Sequence, residues 1–310
     1  ACEGLIDGDF LVVSGDAITD TDLGAAVAFH KGHGGTATVV LSEVKTPFEY
    51  GVCLTDEDGR ITDLVEKPGW ERAYSGTVNT GIYVFSREIF DFIEYGKAQD
   101  FARDVFPRLI AGGKDIFGYR AAGYWCDIGS VHSYLNCNAD VLAGKVGTEL
   151  PENGKVAGAI VHEPCRIGKN VSASGAVIGP YAVIGDGCTL KKGSRIERSV
   201  LLNGVTVGEN SVVRNAVICD GAKIGDGVSV CDGAAVGDGC TIGSGCVIGA
   251  EVKIAPDNII PQKTVLTTNV AGEYRPYRLE KSTADPIGDI TSFAKLGAAF
   301  GCLFRGNAAV

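Results

Sequence analysis

The sequence predicts an α/β region followed by a parallel β-helix, and three observations support this fold class. Strand patterns alternate with helical patterns over the first half of the 310 residues, which is typical of an α/β sheet. Over much of the second half an aliphatic residue returns at every sixth position, which is the hexapeptide signature of a parallel β-helix. Glycine accounts for 44 of the 310 residues, about twice its usual share of roughly 7%, and frequent turns require it.

The first half opens with a buried-strand pattern at 10–13, followed by Ser14-Gly15-Asp16. A loop directly after a strand lies at the carboxyl edge of the sheet, where α/β proteins bind ligands, so Asp16 becomes a candidate site residue. The later elements are a helix at 21–31, a strand at 36–44, a hairpin of 50–55 and 60–67 with an Asp-Gly turn, a strand at 77–85, helices at 87–95 and 100–110, an extended segment at 116–128 and a helix at 130–142. We interpret this alternation as a mostly parallel sheet.

The hexads of the second half occur in two phases. The earlier run is Ile178, Ile184, Leu190, Ile196 and Leu202, and the later run is Ile218, Ile224, Val230, Val236, Ile242, Ile248, Ile254 and Ile260. Leu202 and Ile218 are 16 positions apart rather than 18, which we interpret as a local irregularity and not as a domain boundary. Cys240 and Cys246 each follow an aliphatic residue by four positions and are predicted to fill small interior slots.

Charge and cysteine usage exclude several classes of protein. Of the net charge of −10, the acidic excess lies in residues 1–150, with 12 Lys and Arg against 23 Asp and Glu. Such a surface repels phosphate backbones, so no nucleic-acid partner is expected. This acidic surface either binds phosphorylated small molecules through a divalent cation or only keeps the chain soluble. No apolar stretch reaches the roughly 18 residues that span a bilayer, and the 11 cysteines form no C-x-x-C pair, so we expect no membrane partner and a cytoplasmic protein with free thiols.

The β-helix region allows two functional interpretations. A hexapeptide acyltransferase needs a histidine as general base, and His162 is the only histidine in residues 133–310, where it precedes the first regular hexad. The sequence therefore favours a β-helix that is structural or mediates assembly.

Five strings of the first half carry a resemblance to a known family. They are the strings at 11–20, Tyr50-Gly51, Glu66-Lys67-Pro68, 78–83 and 124–129. Their order resembles that of sugar-1-phosphate nucleotidyltransferases, and is most similar to mannose-1-phosphate guanylyltransferase-like members with a C-terminal left-handed β-helix. The resemblance implies an incomplete Rossmann-like catalytic domain at 1–148, the left-handed β-helix at 149–270, and a linker with the start of a phosphomannomutase-like domain at 271–310. A terminal helix packing on the β-helix is the alternative for this last segment.

The resemblance implies an enzyme that transfers a nucleotidyl group from a nucleoside triphosphate to a sugar 1-phosphate and releases pyrophosphate. GTP and mannose 1-phosphate are the favoured substrates, and Mg²⁺ is the implied cofactor because two anions must be brought together. Asp16 and Asp127 match the catalytic metal ligands. The substrate-binding residues implied by the family pattern are Gly51, Glu66, Lys67, Asn79, Thr80 and Gly81.

Each of these residues also has a structural alternative. Asp16 could cap the helix at 21–31, although Thr19 and Asp20 are better placed. Asp127 could cap the helix that starts near Ser130. The Glu66-Lys67 pair could be a solvated strand end, and the others could be turn or ladder residues.

The family's Gly-rich string GxGTRLxPLT, which cradles the triphosphate, is not present in these 310 residues, and residue 1 is Ala rather than Met. We therefore expect a fragment that is inactive by itself. The alternatives are a glucose-1-phosphate nucleotidyltransferase that uses another base, and a non-catalytic regulatory or assembly homologue. The β-helix is expected to form a homo-oligomer.

Overall fold

The structure, a computed structural model, describes residues 3–69 and 75–271. It divides into two compact units that part between Asp127 and Ile128. The predicted first domain ends at residue 148, but the last helix predicted for it groups by its contacts with the second unit. Within the described residues, no helix combines the length and the apolar character needed to cross a membrane.

The first unit is an α/β fold. Its strands are β1 (Phe10–Val13), β2 (Ala17–Thr19), β3 (Ala37–Glu43), β4 (Gly51–Thr55), β5 (Ile61–Glu66), β6 (Thr77–Phe85), β7 (Ile116–Arg120) and β8 (Trp125–Asp127). Its α-helices are α1 (Leu23–His33) and α2 (Phe106–Ala111), with 3-10 turns at Glu3–Leu5, Pro47–Glu49 and Arg87–Phe92 and a π-helical turn at Phe101–Val105. The predicted strands and hairpin are confirmed, whereas the predicted helix at 87–95 is only a 3-10 turn and the extended segment at 116–128 is two separate strands.

The main sheet has the order β5-β4-β6-β3-β7, and β1 pairs with β6. The prediction of a mostly parallel sheet is wrong, because only β3 and β7 are parallel neighbours and the other pairs are antiparallel. A parallel pair needs a crossover of about a dozen residues or more. The connections from β3 to β4 and from β4 to β5 are too short for one, whereas the long connection between β3 and β7 contains helix α2.

Helix α1 begins later than predicted because of its cap. The Asp22 carboxylate accepts a hydrogen bond from the Ala25 amide at 2.9 Å, and Gly34 closes the helix with a φ of 68°. Asp20 and Thr19, which the sequence analysis considers the better caps, instead bond to the backbone of Tyr124.

The first unit has a buried core on each side of the main sheet, and the larger one contains an aromatic cluster. The aromatic rings of Tyr83, Phe85, Phe101 and Phe106 pack against one another with centroids 5.0 to 6.2 Å apart. Because β6 crosses the middle of the sheet and is buried along most of its length, the polar residues near its centre are held in fixed positions.

The second unit contains helix α3 (Val131–Leu142) and a parallel β-solenoid of about six turns, consistent with a left-handed β-helix. Its strands are β9 (Ile160–Val161), β10 (Cys165–Ile167), β11 (Val177–Ile178), β12 (Ala182–Ile184), β13 (Thr189–Leu190), β14 (Arg195–Glu197), β15 (Val200–Leu201), β16 (Thr206–Val207), β17 (Val212–Arg214), β18 (Val217–Ile218), β19 (Lys223–Ile224), β20 (Ser229–Val230), β21 (Ala235–Val236), β22 (Thr241–Ile242), β23 (Val247–Ile248), β24 (Lys253–Ile254), β25 (Ile259–Ile260) and β26 (Val265–Leu266).

These strands form three parallel sheets, one for each face of the solenoid. The first has the order β10-β12-β15-β18-β21-β24, the second β13-β16-β19-β22-β25, and the third β26-β23-β20-β17-β14-β11-β9. The second residue of most strands points inward and is buried, so the hexad prediction of an aliphatic column is confirmed. Cys240 and Cys246 are fully buried in that column.

The phase slip has a local cause. The inward residue is Leu201 and not Leu202 as predicted, because the column passes from Ile196 to Leu201 and again from Val213 to Ile218 in five positions. Arg198 turns the first of these short corners with a φ of 44°, and Asn215 turns the second with a φ of 48°. The Ser199 hydroxyl donates to the Glu197 carbonyl at 2.7 Å and accepts from the amide of the next coil. Stacking continues on both sides of β15, so the prediction of a local irregularity is confirmed.

One corner of the solenoid is joined by a side-chain ladder. Lys169, Asp186, Asn203 and Asp220 each donate their backbone amide to the side-chain oxygen of the residue stacked on them in the next coil, at 2.7 to 3.0 Å. The ladder ends at Asp238. These bonds satisfy corner amides that the short strands leave unpaired.

Candidate active site

The turn between β1 and β2 carries the first candidate residue. Asp16 lies in this turn with an exposed side chain, and the Ser14 hydroxyl donates a hydrogen bond to its carboxylate. In the register of β2 against β8, Ala17 lies opposite Asp127. The pairing therefore brings Asp16 and Asp127, which are far apart in the sequence, to the same end of a two-stranded ribbon.

The capping alternatives for these aspartates are wrong. Helix α1 is capped by Asp22. Helix α3 is capped by Ser130, which forms a capping box with Ser133. Neither Asp16 nor Asp127 is thus needed to begin a helix.

The start of β4 and the end of β5 form the second part of the site. Gly51 lies opposite Glu66 in the hairpin register. A Cβ atom at Gly51 would lie 2.8 Å from Glu66 Oε2 and 3.6 Å from Asn79 Cβ. Glycine at this position therefore leaves open the space that borders both polar side chains.

Asn79 connects the hairpin to the β1 turn. Its amide oxygen accepts from the Gly81 amide at 2.9 Å, and its amide nitrogen donates to the Tyr83 hydroxyl at 2.9 Å. The Gly81 carbonyl in turn accepts from the Ser14 amide at 3.1 Å. Because burial raises the pKa of Tyr83 to about 12, its hydroxyl stays protonated at neutral pH, and the orientation of the Asn79 amide is fixed by these two partners.

Gly81 itself takes a backbone conformation that favours glycine. Its φ is 75°, and a Cβ atom there would lie 3.0 Å from Ser14 Cβ. The left-handed conformation at Gly81 and its close approach to Ser14 hold the Asp16 turn against β6.

Tyr50 lies between Asp127 and the hairpin. Burial raises the pKa of the Tyr50 hydroxyl, and the negative charge of Asp127 raises it further. The Tyr50 ring meets the Trp125 ring edge to face, with centroids 5.3 Å apart. The backbone carbonyl of Tyr50 accepts from the Lys67 amide at 3.0 Å, so Tyr50 joins the β8 end of the site to the strand end at Lys67.

Lys67 is exposed and has a φ of 47°. A left-handed conformation is unusual for a lysine and costs of the order of 1 kcal/mol. Pro68, which follows, is buried and anchors the segment. The strained backbone holds the exposed ammonium group at the end of β5, beside Glu66.

Thr80 does not join these residues through its side chain. Thr80 is 3% exposed, and its hydroxyl donates to the Val40 carbonyl at 2.8 Å. Its own carbonyl accepts from the Trp125 indole at 3.1 Å. The prediction that the Thr80 hydroxyl contacts a sugar is therefore corrected, because successive side chains of a strand point to opposite faces, and Thr80 instead positions Trp125.

Two carboxylates at one end of a ribbon fit a Mg²⁺ ion. Mg²⁺ in proteins is usually held by one or two carboxylates, with water and substrate phosphates as its other ligands. In residues 3–69 and 75–271 no three His, Cys, Asp or Glu side chains gather into a metal-binding group. A cation held by Asp16 and Asp127 would thus take its remaining ligands from solvent and substrate.

Four residues with no role in the sequence analysis belong to this arrangement: Ser14, Tyr50, Tyr83 and Trp125. All four lie inside or next to the strings that carry the family resemblance. Their positions in those strings were visible, but their contacts depend on pairing between distant strands.

The α/β unit with its convergent polar residues, followed by the β-solenoid, is the architecture of a nucleotidyltransferase. Two family profiles match the chain: the one described as Nucleotidyl transferase at residues 3–144, and the one described as GMPPB C-terminal domain at residues 155–273. Residues 3–144 are thus a domain of the nucleotidyltransferase family, and residues 155–273 match the C-terminal domain of the second profile.

Similar proteins differ in the nucleotide that their names specify. Mannose-1-phosphate guanylyltransferase 1 of Arabidopsis thaliana is 31% identical over 227 residues, which are 70% of this chain and 60% of that protein. UTP–glucose-1-phosphate uridylyltransferase of Synechocystis sp. is 35% identical over 217 residues, 67% of this chain and 55% of that protein. Mannose-1-phosphate guanylyltransferase of Mycobacterium tuberculosis is 31% identical over 204 residues, 66% of this chain and 55% of that protein. The chain therefore spans less than two thirds of the length of these relatives.

Proposed function

We propose that the protein acts in nucleotidyl transfer from a nucleoside triphosphate to a sugar 1-phosphate, giving a nucleoside diphosphate sugar and pyrophosphate. The observation that carries the proposal is the convergence of the β1 turn, the β4–β5 hairpin, the centre of β6 and the end of β8 on one polar site. GTP and mannose 1-phosphate are the proposed substrates, on the similarity to the named guanylyltransferases.

The residues of the site suit the two halves of this reaction. Asp16 and Asp127 would hold Mg²⁺, which when bound neutralises phosphate charge and aligns the attacking and leaving oxygens. Lys67 presents a point charge to the phosphate of the sugar. Glu66 accepts hydrogen bonds from sugar hydroxyls in the space that Gly51 leaves open, and Asn79 borders the same space.

One other function has a specific observation in its favour. A glucose-1-phosphate nucleotidyltransferase that uses another base is supported by the similarity to the uridylyltransferase. A non-catalytic regulatory or assembly homologue is the alternative from another class, and the 310 residues contain no GxGTRL-type string. For the same reason we expect these residues alone to bind sugar 1-phosphate without releasing pyrophosphate.

Titration calorimetry with mannose 1-phosphate and Mg²⁺ tests the sugar-phosphate half on the 310-residue chain. We expect Lys67→Met to weaken binding by about 10-fold or more, because a charge-assisted contact is worth roughly 1.5 to 3 kcal/mol. Lys97→Met is the matched control, since Lys97 is an exposed lysine of the same unit that pairs with Glu94. Asp16→Asn should remove the part of the affinity that depends on Mg²⁺.

Equal binding by the Lys67 and Lys97 variants would reject the sugar-phosphate assignment. Glucose 1-phosphate in a parallel titration decides between the sugars. Pyrophosphate release from GTP, UTP or ATP, assayed with the 310 residues joined to a GxGTRL-type segment, separates the catalytic functions from the non-catalytic one.

A further inference from the structure

The outward ladder of the first sheet is covered over only part of its length. In stacking order, this ladder is Arg166, Val183, Val200, Val217, Ala235 and Lys253. The three valines are at most 9% exposed, whereas Ala235 is half-buried and Lys253 is exposed. The cover on this ladder therefore ends over its last two coils.

Helix α3 supplies the cover, and two contacts give its direction. Near the start of the helix, His132 contacts Glu251, which precedes β24 in the last of these coils. One turn later, Asn136 accepts a hydrogen bond at 3.3 Å from Arg198, which precedes β15. Helix α3 thus runs opposite to the solenoid, and its amino end lies beside the later coils.

A cavity of about 350 Å³ lies between the amino end of helix α3 and the first sheet. Val217 and Ala235 of the outward ladder line it from the sheet, and Val131 and Tyr134 line it from the helix. The floor drops at Ala235, because alanine takes the place that valine fills in each of the three preceding coils. Ligand pockets have volumes of about 300 to 1,000 Å³ and mostly apolar walls, so this cavity is a candidate binding site.

The polar side chains of this cavity are few. They belong to Ser130, Tyr134, Cys219 and Lys253. The Ser130 hydroxyl caps helix α3. Burial raises the pKa of Cys219 to about 12, so its thiol is neutral at pH 7. Among the described residues that line the cavity, Lys253 is therefore the one that carries a charge.

The Lys253 ammonium forms no ion pair with any residue that the structure describes. Glu251, two residues earlier, contacts helix α3 instead. The carboxylates of Asp238 and Asp220 lie near Cys219, because their charges add to the rise of its pKa. The amino end of helix α3 adds the positive end of its dipole to the charge of Lys253. An anionic group in the cavity is therefore attracted to Lys253 and repelled from the Cys219 side.

We propose that this cavity binds a small carboxylate whose apolar body has about the size of a six-membered ring. The carboxylate lies at Lys253, and the ring lies on Ala235 and Val217 beneath Tyr134. A cavity of about 150 Å³ accepts benzene, so about 350 Å³ holds a ring together with its carboxylate. The site lies wholly within the second unit and does not depend on the proposed function.

The charges around the cavity favour a carboxylate over a phosphate. A carboxylate brings one negative charge, which the single Lys253 ammonium balances. A phosphate monoester carries a charge of about −1.5 to −2 at neutral pH, and its excess charge would be repelled by Glu251 and Asp238. We therefore expect 4-fluorobenzoate to bind more tightly than 4-fluorophenyl phosphate.

Fluorine NMR of 4-fluorobenzoate with the 310-residue chain tests the charge at the site. We expect a dissociation constant of the order of 1 mM, which is ordinary for a ligand of about ten non-hydrogen atoms. Lys253→Met should weaken binding about 5-fold, as the loss of a partly exposed ion pair does. Lys223→Met is the matched control, because Lys223 is an exposed outward lysine of the second sheet, and it should leave the affinity unchanged. Neutral 4-fluorobenzamide should bind equally to the parent and to Lys253→Met.

A second variant tests the position of the apolar body. Ala235→Phe fills the floor of the cavity and should weaken binding of both the benzoate and the benzamide by about 10-fold or more, because the ring loses its place. Thr241→Phe, at an outward position of the second sheet, is the control and should bind both probes like the parent. Circular dichroism of each variant excludes misfolding as the cause.

Each other result overturns the proposal. A chain that does not bind 4-fluorobenzoate up to about 20 mM, well above the expected dissociation constant, has no such site or fills it with another segment. Equal losses in the Lys253 and Lys223 variants would show unspecific attraction of anions. Binding by Ala235→Phe like that of the parent would place the probe elsewhere, and tighter binding of the phosphate would reject the carboxylate.

Discussion

At the scale of single residues, Gly81 connects most of the candidate site. The Gly81 carbonyl accepts a hydrogen bond from the Ser14 amide, and the Gly81 amide donates one to the side-chain oxygen of Asn79. Ser14 leaves no room for a side chain at Gly81. The positions of the Asp16 turn and of the Asn79 amide therefore both depend on one residue with a positive φ.

Gly81→Ala should lower the free energy of unfolding and weaken metal binding at Asp16. The left-handed backbone alone costs roughly 1 to 2 kcal/mol for a residue with a Cβ atom, and displacement of Ser14 adds to this. Denaturant unfolding and Mn²⁺ titration by electron paramagnetic resonance measure the two effects.

Gly113→Ala provides the control, because Gly113 has a φ of 68° and no atom within 4 Å of the place that a Cβ atom would take. It should show the backbone cost without any change in Mn²⁺ affinity. If both variants bind Mn²⁺ equally well, Gly81 does not position the Asp16 turn.

The motif strings name residue types that the proposed reaction needs, and the roles of these residues stay predictions. Gly51, Glu66 and Asn79 are brought together by the structure as the family pattern implies. Thr80 was assigned wrongly, although it stands between two site positions of one strand and so had to face the other way. Tyr50 and Tyr83 were missed because their contacts arise from pairing between strands.

At the scale of elements, the short corner of the solenoid at Arg198 depends on Ser199. Ser199→Ala removes a donor to the Glu197 carbonyl and leaves the buried Ala216 amide without its acceptor. We expect a loss of about 1 to 3 kcal/mol, because an unsatisfied buried group bears its full desolvation cost. Ser194→Ala is the control, because it removes only one hydrogen bond, to the Lys191 carbonyl, and should lower the free energy of unfolding less. Urea unfolding monitored by circular dichroism measures both losses. Equal losses would show that the corner does not depend on Ser199.

Helix α1 contributes a pH dependence through His30. Burial lowers the pKa of His30 below its ordinary value of 6.5, although Asp9 opposes the shift and Lys31 adds to it. The unfolded chain then binds a proton more readily than the folded chain, so His30 stabilises the fold above about pH 6.5 and this contribution is lost as the pH falls. The melting temperature of the first unit should decrease between about pH 7.5 and pH 5.5.

His30→Gln should flatten this dependence, since Gln keeps a polar group for the Thr38 hydroxyl, to which His30 Nδ1 bonds at 2.9 Å. His33→Gln, on the exposed side of the same helix, should keep the slope of the parent. An unchanged slope in the His30 variant would assign the pH dependence to other groups.

Sequence periodicity predicts the second unit better than the first. A hexad repeat defines both the strands and the inward side of a solenoid, and only the five-residue corners at Arg198 and Asn215 shifted the register between the two runs. The sheet of the first unit was predicted as mostly parallel because strand and helix patterns do not state which strands are neighbours. The short connections before and after β4 determine that its neighbours are antiparallel, and the lengths of these connections could be read from the sequence.

At the scale of the whole molecule, the two units should unfold separately. Each has its own buried core, and the acidic excess lies in residues 1–150. Calorimetry should therefore show two transitions rather than one. Mannose 1-phosphate with Mg²⁺ should raise only the transition of the first unit, because a ligand stabilises the unit that binds it.

Val213→Ala, in the solenoid core, should lower only the other transition, by the cost of a buried cavity of roughly 1 to 3 kcal/mol in unfolding free energy. A single transition that responds to both the ligand and this variant would show that the units unfold as one.

The register of the solenoid has a consequence for how such a chain can change in length. Neighbouring coils are 17 or 18 residues apart, as in Val200 opposite Val217 and Val217 opposite Ala235. Deleting one complete coil would leave every face and the corner ladder aligned, whereas deleting one hexad would rotate all later residues onto the wrong face. Insertions and deletions can therefore lengthen or shorten this part of the molecule in whole coils. Each coil gained or lost moves the later coils along the solenoid by one strand spacing of about 4.8 Å.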